Sequence, residues 1–190
     1  MAITYLDNNA TTRVAPEVLE AMLPFLQEQY GNPSSMHDFG GDLADIVETA
    51  RQHVADLIGA AHPDEIIFTS CGTESDNTAI HSALAANPER RHCITSKVEH
   101  PAIINYFEML EKKGYEVTWL DVDMEGRLDV ADLLKAVRPD TAVVSLMWAN
   151  NETGVLFPIA EFADALRDKG VLFHTDAVQA VGKVPVDVQK

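Results

Sequence analysis

Four short polar clusters in this 190-residue chain combine residue types that bind and transform small molecules. Ser70-Cys71-Gly72-Thr73-Glu74-Ser75 follows the apolar run Ile66-Ile67-Phe68-Thr69. Gly72 permits a sharp turn, the next N–H groups would open a helix, and Thr73 adds a hydroxyl; together they form a cup suited to phosphate. The same residues would also serve as a plain helix start, with Thr73 or Ser75 at the N-cap. In Glu99-His100-Pro101, the histidine could stack on a flat ring or relay a proton, or simply precede a proline that starts a helix. Asn150-Asn151-Glu152-Thr153-Gly154 offers directional amides to a ligand oxygen, or turn chemistry alone. His174-Thr175-Asp176-Ala177-Val178-Gln179 ends another apolar run. A carboxylate there is costly to bury unless it is paired, and either a cationic ring nitrogen or the cap of a following turn would satisfy Asp176.

The elements that must position these clusters alternate along the chain. Pro16 suits a helix N1 position, with Val18, Met22, Phe25 and Leu26 at helical spacing and Gly31-Asn32-Pro33 as the stop. A second helix is predicted over 42–58, closed by Gly59. From there strands are predicted over 66–69, 92–95, 115–120, 141–147 and 171–175. Helices are predicted from Gly72 to Asn87, over 101–113, 130–137 and 159–169. This alternation implies βαβ units, an α/β fold whose mostly parallel sheet is covered by helices on both faces. The expected organisation is an N-terminal extended segment and helix over 1–30 and an α/β domain over 31–190. In such sheets ligands gather beyond the carboxyl ends of the strands, where all four clusters fall.

Composition removes other classes. Lys and Arg number 14 against 30 Asp and Glu, a net charge of −16, with 46% hydrophobic and 23% charged residues. That is a globular composition, too acidic for nucleic acid or an anionic membrane surface, so neither is expected as a partner. No apolar run approaches the roughly 20 residues of a membrane span. The start MAITYLDNN lacks the charged and apolar regions of a secretory signal, which points to the cytoplasm and makes the sequons at Asn9 and Asn151 chance matches. Cys71 and Cys93 form no CxxC pair, and the seven histidines show no metal-ligand spacing, so no disulfide framework or metal site is expected. Cys71, ahead of a helix, could have a lowered thiol pKa but has no adjacent base; Cys93 is expected to be buried in a strand. Neither GxxxxGK[ST] nor GxGxxG occurs. A phosphate cup, a stacking histidine, an amide and a carboxylate at successive strand ends suit a flat, phosphorylated, cationic heterocycle, pyridoxal phosphate.

LDNNATT (6–12), GNPSSMH (31–37), FTSCGTESDN (68–77), EHPAI (99–103), MWANNETG (147–154) and FHTDAVQAVGK (173–183) are long matches in consistent order. In them the chain resembles the NifS-type cysteine desulfurases, pyridoxal-phosphate enzymes of the aspartate-aminotransferase-like fold type I, and more closely the nitrogen-fixation branch. The resemblance implies that Gly72 and Thr73 hold the cofactor phosphate and that His100 stacks on the pyridine ring and serves catalysis. It implies that Asp176 pairs with the ring N1–H, that Gln179 hydrogen-bonds the ring O3′, and that Asn151 faces the cofactor near the substrate carboxylate. The implied reaction takes L-cysteine to L-alanine, with sulfur held as an enzyme persulfide for iron–sulfur cluster assembly. A homodimer and an iron–sulfur scaffold protein as sulfur acceptor are the implied partners.

Chains of that family are longer. Their Schiff-base lysine, persulfide cysteine, substrate-binding arginine and small domain would all follow Lys190. The expectation is therefore an N-terminal part that carries most of the non-covalent site and is inactive by itself. Lys183 is a poor substitute anchor, because it follows Asp176 by only seven residues, while the ring N1 and the aldehyde-bearing C4 lie at opposite ends of the pyridine. Two other readings remain open at this point: a selenocysteine lyase or related lyase of the same fold, and a non-catalytic binding or dimerisation module.

Overall fold

The computed structural model describes residues 3–190. Its chain divides into two compact units, one running up to Ile67 and taking in Val186–Lys190, the other spanning Phe68–Pro185.

The first unit is helical. Helix α1 (Pro16–Gln27) starts with proline at N1, as its sequence predicts, and buries none of its residues. Helix α2 (Asp38–Ile58) begins four residues earlier than its apolar spacing suggests and ends at Gly59, whose φ of 72° closes it in the left-handed conformation. The turn between the helices is folded tightly on α2. A methyl group at Gly40 would lie 2.4 Å from the Asn32 carbonyl oxygen and 2.7 Å from Ser35 Cβ, so only glycine fits. Val188 donates its N–H to the Ile58 carbonyl, which ties the last residues of the chain to the end of α2.

The second unit is an α/β layer. Strands β1 (His92–Ser96), β2 (Glu116–Leu120), β3 (Thr141–Ser145) and β4 (Leu172–His174) form one sheet in the order β2-β1-β3-β4, all parallel. Helices α3 (Gly72–Ala86), α4 (Pro101–Lys112), α5 (Val130–Ala136) and α6 (Ile159–Leu166) cover it. The two faces of the sheet feed two cores, and a register shift of β1 against β3 between His92 and Cys93 leaves Ala142 and its neighbour Val143 in the same one. Cys93, Ala142 and Val143 pack with Ile80, Leu84, Ile103 and Phe107 of α3 and α4. Ile94 and Val144 pack with Leu133, Phe162 and Leu166 of α5 and α6 on the other face. This is the doubly covered parallel sheet that the alternation of elements implies.

One buried histidine stitches three strands together. His92 Nδ1 lies 2.7 Å from Thr141 Oγ1 and its Nε2 2.8 Å from Thr118 Oγ1. Burial pushes its pKa down, which keeps the ring neutral at physiological pH.

The run 66–69 departs from expectation. It is extended, yet it pairs with no strand among the described residues, and Ile67 and Phe68 are exposed. Apolar, β-branched composition predicts extended backbone, but a strand also requires a ladder neighbour. β3 and β4 are likewise shorter than the apolar runs that contain them, because the ladders end at Ser145 and His174.

Candidate active site

The order β2-β1-β3-β4 has a switch point. From β1 the chain leaves through α4 on one face, and from β3 through α6 on the other, so a crevice opens beyond the ends of these neighbours. Every site residue expected from sequence stands in the Phe68–Pro185 unit, on the loops or helix starts that follow strands or extended segments.

Gly72 is the first residue of α3, and Cys71, with neither Thr73 nor Ser75, is its N-cap. No side-chain hydrogen bond caps this helix end; the Thr73 and Glu74 N–H groups face the Cys71 sulfur at the positive end of α3. A methyl at Gly72 would come within 3.2 Å of Val178 Cγ2, so the start of α3 lies close against the segment that carries Asp176 and Gln179. Thr73 is exposed beside it. Ser75 is occupied locally, with its Oγ 2.6 Å from Thr69 Oγ1. The Glu74 carboxylate accepts from the Ser70 N–H (2.7 Å) and hydroxyl (2.6 Å), which fixes the turn ahead of the helix. The Cys71 thiol is exposed, and the Glu74 backbone N–H and the Ser70 hydroxyl lower its pKa. Cys93 is buried and pushed up to about 12, an inert thiol.

His100 is the N-cap of α4. Its Nδ1 accepts the Ala102 N–H at 3.2 Å. The neutral ring of this exposed residue therefore carries its proton on Nε2. Asp176 is 92% buried by area, its relative exposure being 8%. One of its oxygens accepts the Val178 N–H at 2.9 Å, and among the described residues no Lys or Arg pairs with it. Burial raises its pKa first and Asp76 adds to the rise, while the Val178 N–H, His100 and His174 pull it down. Gln179 is half-buried, and its Oε1 accepts from Lys183 Nζ.

The two asparagines have different environments. Asn150 is buried; its Oδ1 accepts from the N–H groups of Glu152 (2.9 Å) and Thr153 (2.8 Å) and its Nδ2 donates to the Val98 carbonyl at 3.0 Å. It builds the turn. Asn151 is half-buried, and its Nδ2 donates to the Glu152 carboxylate at 3.0 Å.

Three further polar groups, Asp76, His174 and Glu99, are coupled electrostatically to Asp176. Asp76 of α3 is buried, with Oδ1 3.5 Å from His174 Nε2. His174 Nδ1 is in turn 2.9 Å from Ser145 Oγ. Glu99 is buried, and both it and Asp176 respond electrostatically to Asp76. Glu99 and His174 lie within the polar clusters singled out in the sequence, but nothing in the sequence points to Asp76 or says which of these groups meet.

Residues 4–190 match the Aminotransferase class-V family. The chain belongs to it. Among curated class-V members, cysteine desulfurase NifS of Azotobacter vinelandii is 58% identical over 189 residues, all of this chain and 47% of that protein. Cysteine desulfurase 2 of Trichormus variabilis is 59% identical over the same share of both. A solved NifS-like protein superposes with a TM-score of 0.92 at 40% identity, covering 97% of this chain and 51% of its own. DndA from Streptomyces lividans does so with a TM-score of 0.83 at 45% identity, over 96% and 51%. The chain thus spans about half the length of the class-V relatives it matches. Pyridoxal phosphate is the cofactor of these relatives.

The residues present fit that group. A buried carboxylate with no Lys or Arg to pair with among the described residues, a helix start without a side-chain cap close by, and a ring histidine with a defined tautomer answer a cationic ring nitrogen, a phosphate and a flat π-face respectively.

Proposed function

We propose that this chain forms the non-covalent cofactor site of a cysteine desulfurase, a protein that converts L-cysteine to L-alanine and passes the sulfur on. The observation that carries the reading is Asp176. Its carboxylate is buried at a strand end, raised in pKa by that burial, and has no Lys or Arg partner among the described residues. A protonated pyridine nitrogen is the partner its position calls for. The sequence identity to cysteine desulfurases supports the choice of reaction.

Pyridoxal phosphate supplies an electron sink for bonds broken at the substrate Cα. The protein's residues do the rest. Asp176 holds a proton on the ring nitrogen, because a buried anion favours the cationic form of its neighbour. The N–H groups at Gly72 and Thr73, with the Thr73 hydroxyl, bind the phosphate at the positive end of α3. Gln179 donates from its amide to the ring O3′. His100 covers one face of the ring and presents Nε2–H for proton transfer near the Cα, while Asn151 orients the substrate carboxylate. Lys183, beside Gln179, lies at the wrong end of the ring to anchor it.

In this reading the protein works in the cytoplasm as a homodimer and donates sulfur to an iron–sulfur scaffold protein, within nitrogen fixation. The exposed apolar residues Val18, Leu19, Met22 and Leu26 of α1 support self-association. No helix among the described residues is long and apolar enough to cross a membrane.

Alanine formation from L-cysteine by the protein expressed from its complete coding sequence tests the reaction. Cofactor-dependent turnover of L-cysteine is expected. Turnover of L-selenocysteine alone would replace this reading with a selenocysteine lyase.

A further inference from the structure

Two loops flank the crevice at the switch point. One follows β1 and carries His100; the other follows β3 and carries Asn151. Because α4 and α6 lie on opposite faces of the sheet, no helix packing holds these loops together. Val98 packs on the core beside Leu146 and Met147, and two polar side chains bridge the loops directly. Glu99 Oε1 accepts the Ser96 hydroxyl at 2.6 Å, at the end of β1, and the Met147 N–H at 3.0 Å, beyond the end of β3. In the opposite direction, Asn150 Nδ2 donates to the Val98 carbonyl at 3.0 Å. Each of these residues directly precedes a proposed ligand-facing residue, Glu99 before His100 and Asn150 before Asn151.

Glu99 is buried, and its second oxygen, Oε2, has no hydrogen-bond partner. A carboxyl group is an expensive choice for a site that needs only a structural filler, since a leucine or methionine would fill the space without a desolvation cost. What an apolar side chain cannot supply is one oxygen that accepts from both strand ends at once.

We propose that Glu99 is a positioning residue, whose Oε1 latches the β1 and β3 strand-end loops together and thereby sets the separation of His100 and Asn151 across the crevice. The role of that separation rests on the cofactor reading above; the latch itself does not. With the latch open, the Met147 N–H is left buried and unpaired, and the two loops separate to let water reach it. His100 then loses its fixed height over the ring, and substrate held by Asn151 loses its register with the proton-transferring Nε2.

The comparison of Glu99→Gln with Glu99→Met tests this in the protein expressed from its complete coding sequence. Both substitutions remove the carboxylate charge, and both are close to it in length. Only glutamine keeps an acceptor oxygen, so the difference between the two variants reads the latch. Three readouts apply: the His100 ring signals in NMR of ring-labelled histidine, the circular dichroism of bound pyridoxal phosphate, and its dissociation constant. E99Q is expected to match the unsubstituted protein in dichroism and affinity. E99M is expected to displace the His100 ring signals from their positions in E99Q and to weaken cofactor binding about 10-fold. Should E99M fail to fold, Ser96→Ala removes one of the two donors and is expected to shift the same readouts in the same direction by less. Coincidence of E99M with E99Q, or of S96A with the unsubstituted protein, in the His100 ring signals would overturn the latch. If the unsubstituted protein binds no pyridoxal phosphate, the cofactor reading falls, and the His100 ring signals still decide the latch.

Discussion

Burial drives the Glu99 carboxyl from its ordinary 4.5 up to about 7, against the pull of the Ser96 hydroxyl and the Met147 N–H; Asp176 and Asp76 push the same way as burial. The consequence for stability has a definite sign. Between about pH 4.5 and 7 the native protein keeps a proton on Glu99 that the unfolded chain has lost, so this residue's contribution falls as pH rises and levels off above 7. Glutamine in its place does not titrate. Unfolding free energies of E99Q and the unsubstituted protein, measured by denaturant from pH 4.5 to 8, are expected to diverge by about 3 kcal/mol in favour of E99Q at the alkaline end. A constant offset from the buried amide does not affect this slope, and a pH-independent difference would contradict the assignment. Sequence spacing alone brought out Asp176 and His100, because a strand end or helix start marks them. It could not bring out Asp76, whose burial and approach to His174 arise from the docking of α3 against β4. Nor could it separate Asn150 from Asn151, since which amide turns inward depends on the reach to Val98 across the crevice.

At the scale of elements, helix starts and stops were the most legible features. Pro16, Pro101, Gly59 and Gly170 mark ends through φ restriction or freedom, which are properties of single residues. The run 66–69 was not legible in the same way, because a strand is a property of two segments and this run joins no ladder among the described residues. Close approach of a loop to a helix also escapes sequence. Gly40 sits inside α2, where glycine is a poor helix former, and the structure supplies the reason in the contact with Asn32 and Ser35. Gly40→Ala would raise helix propensity by about 1 kcal/mol. The displaced turn nevertheless outweighs this gain, for a net destabilisation of about 1–3 kcal/mol. Thermal unfolding of G40A beside Gly41→Ala, which meets no atom within 4 Å, checks this. G41A is expected to be neutral or stabilising, and equal behaviour of the two would contradict the packing account.

For the whole molecule, net charge and exposed apolar surface act in opposite directions. The −16 charge opposes association. Leu6, Leu26, Tyr30, Ile67 and Phe68, each more than half exposed, favour it. Salt screens the charge and leaves the apolar term, so the 190-residue chain alone is expected to associate increasingly as ionic strength rises. Light scattering that shows a stable monomer at high concentration and high salt would contradict this. The proposed function requires that the strand-end loops of Phe68–Pro185 hold pyridoxal phosphate, with Asp176 on its ring nitrogen. Its most direct test is a spectroscopic titration of the protein expressed from its complete coding sequence with pyridoxal phosphate, beside Asp176→Asn. Asparagine keeps the shape and the Val178 N–H bond but cannot stabilise a cationic ring. The account predicts at least a 10-fold loss of affinity, about 1.4 kcal/mol, together with a changed absorption band for the bound ring; equal affinity and an unchanged spectrum would contradict it.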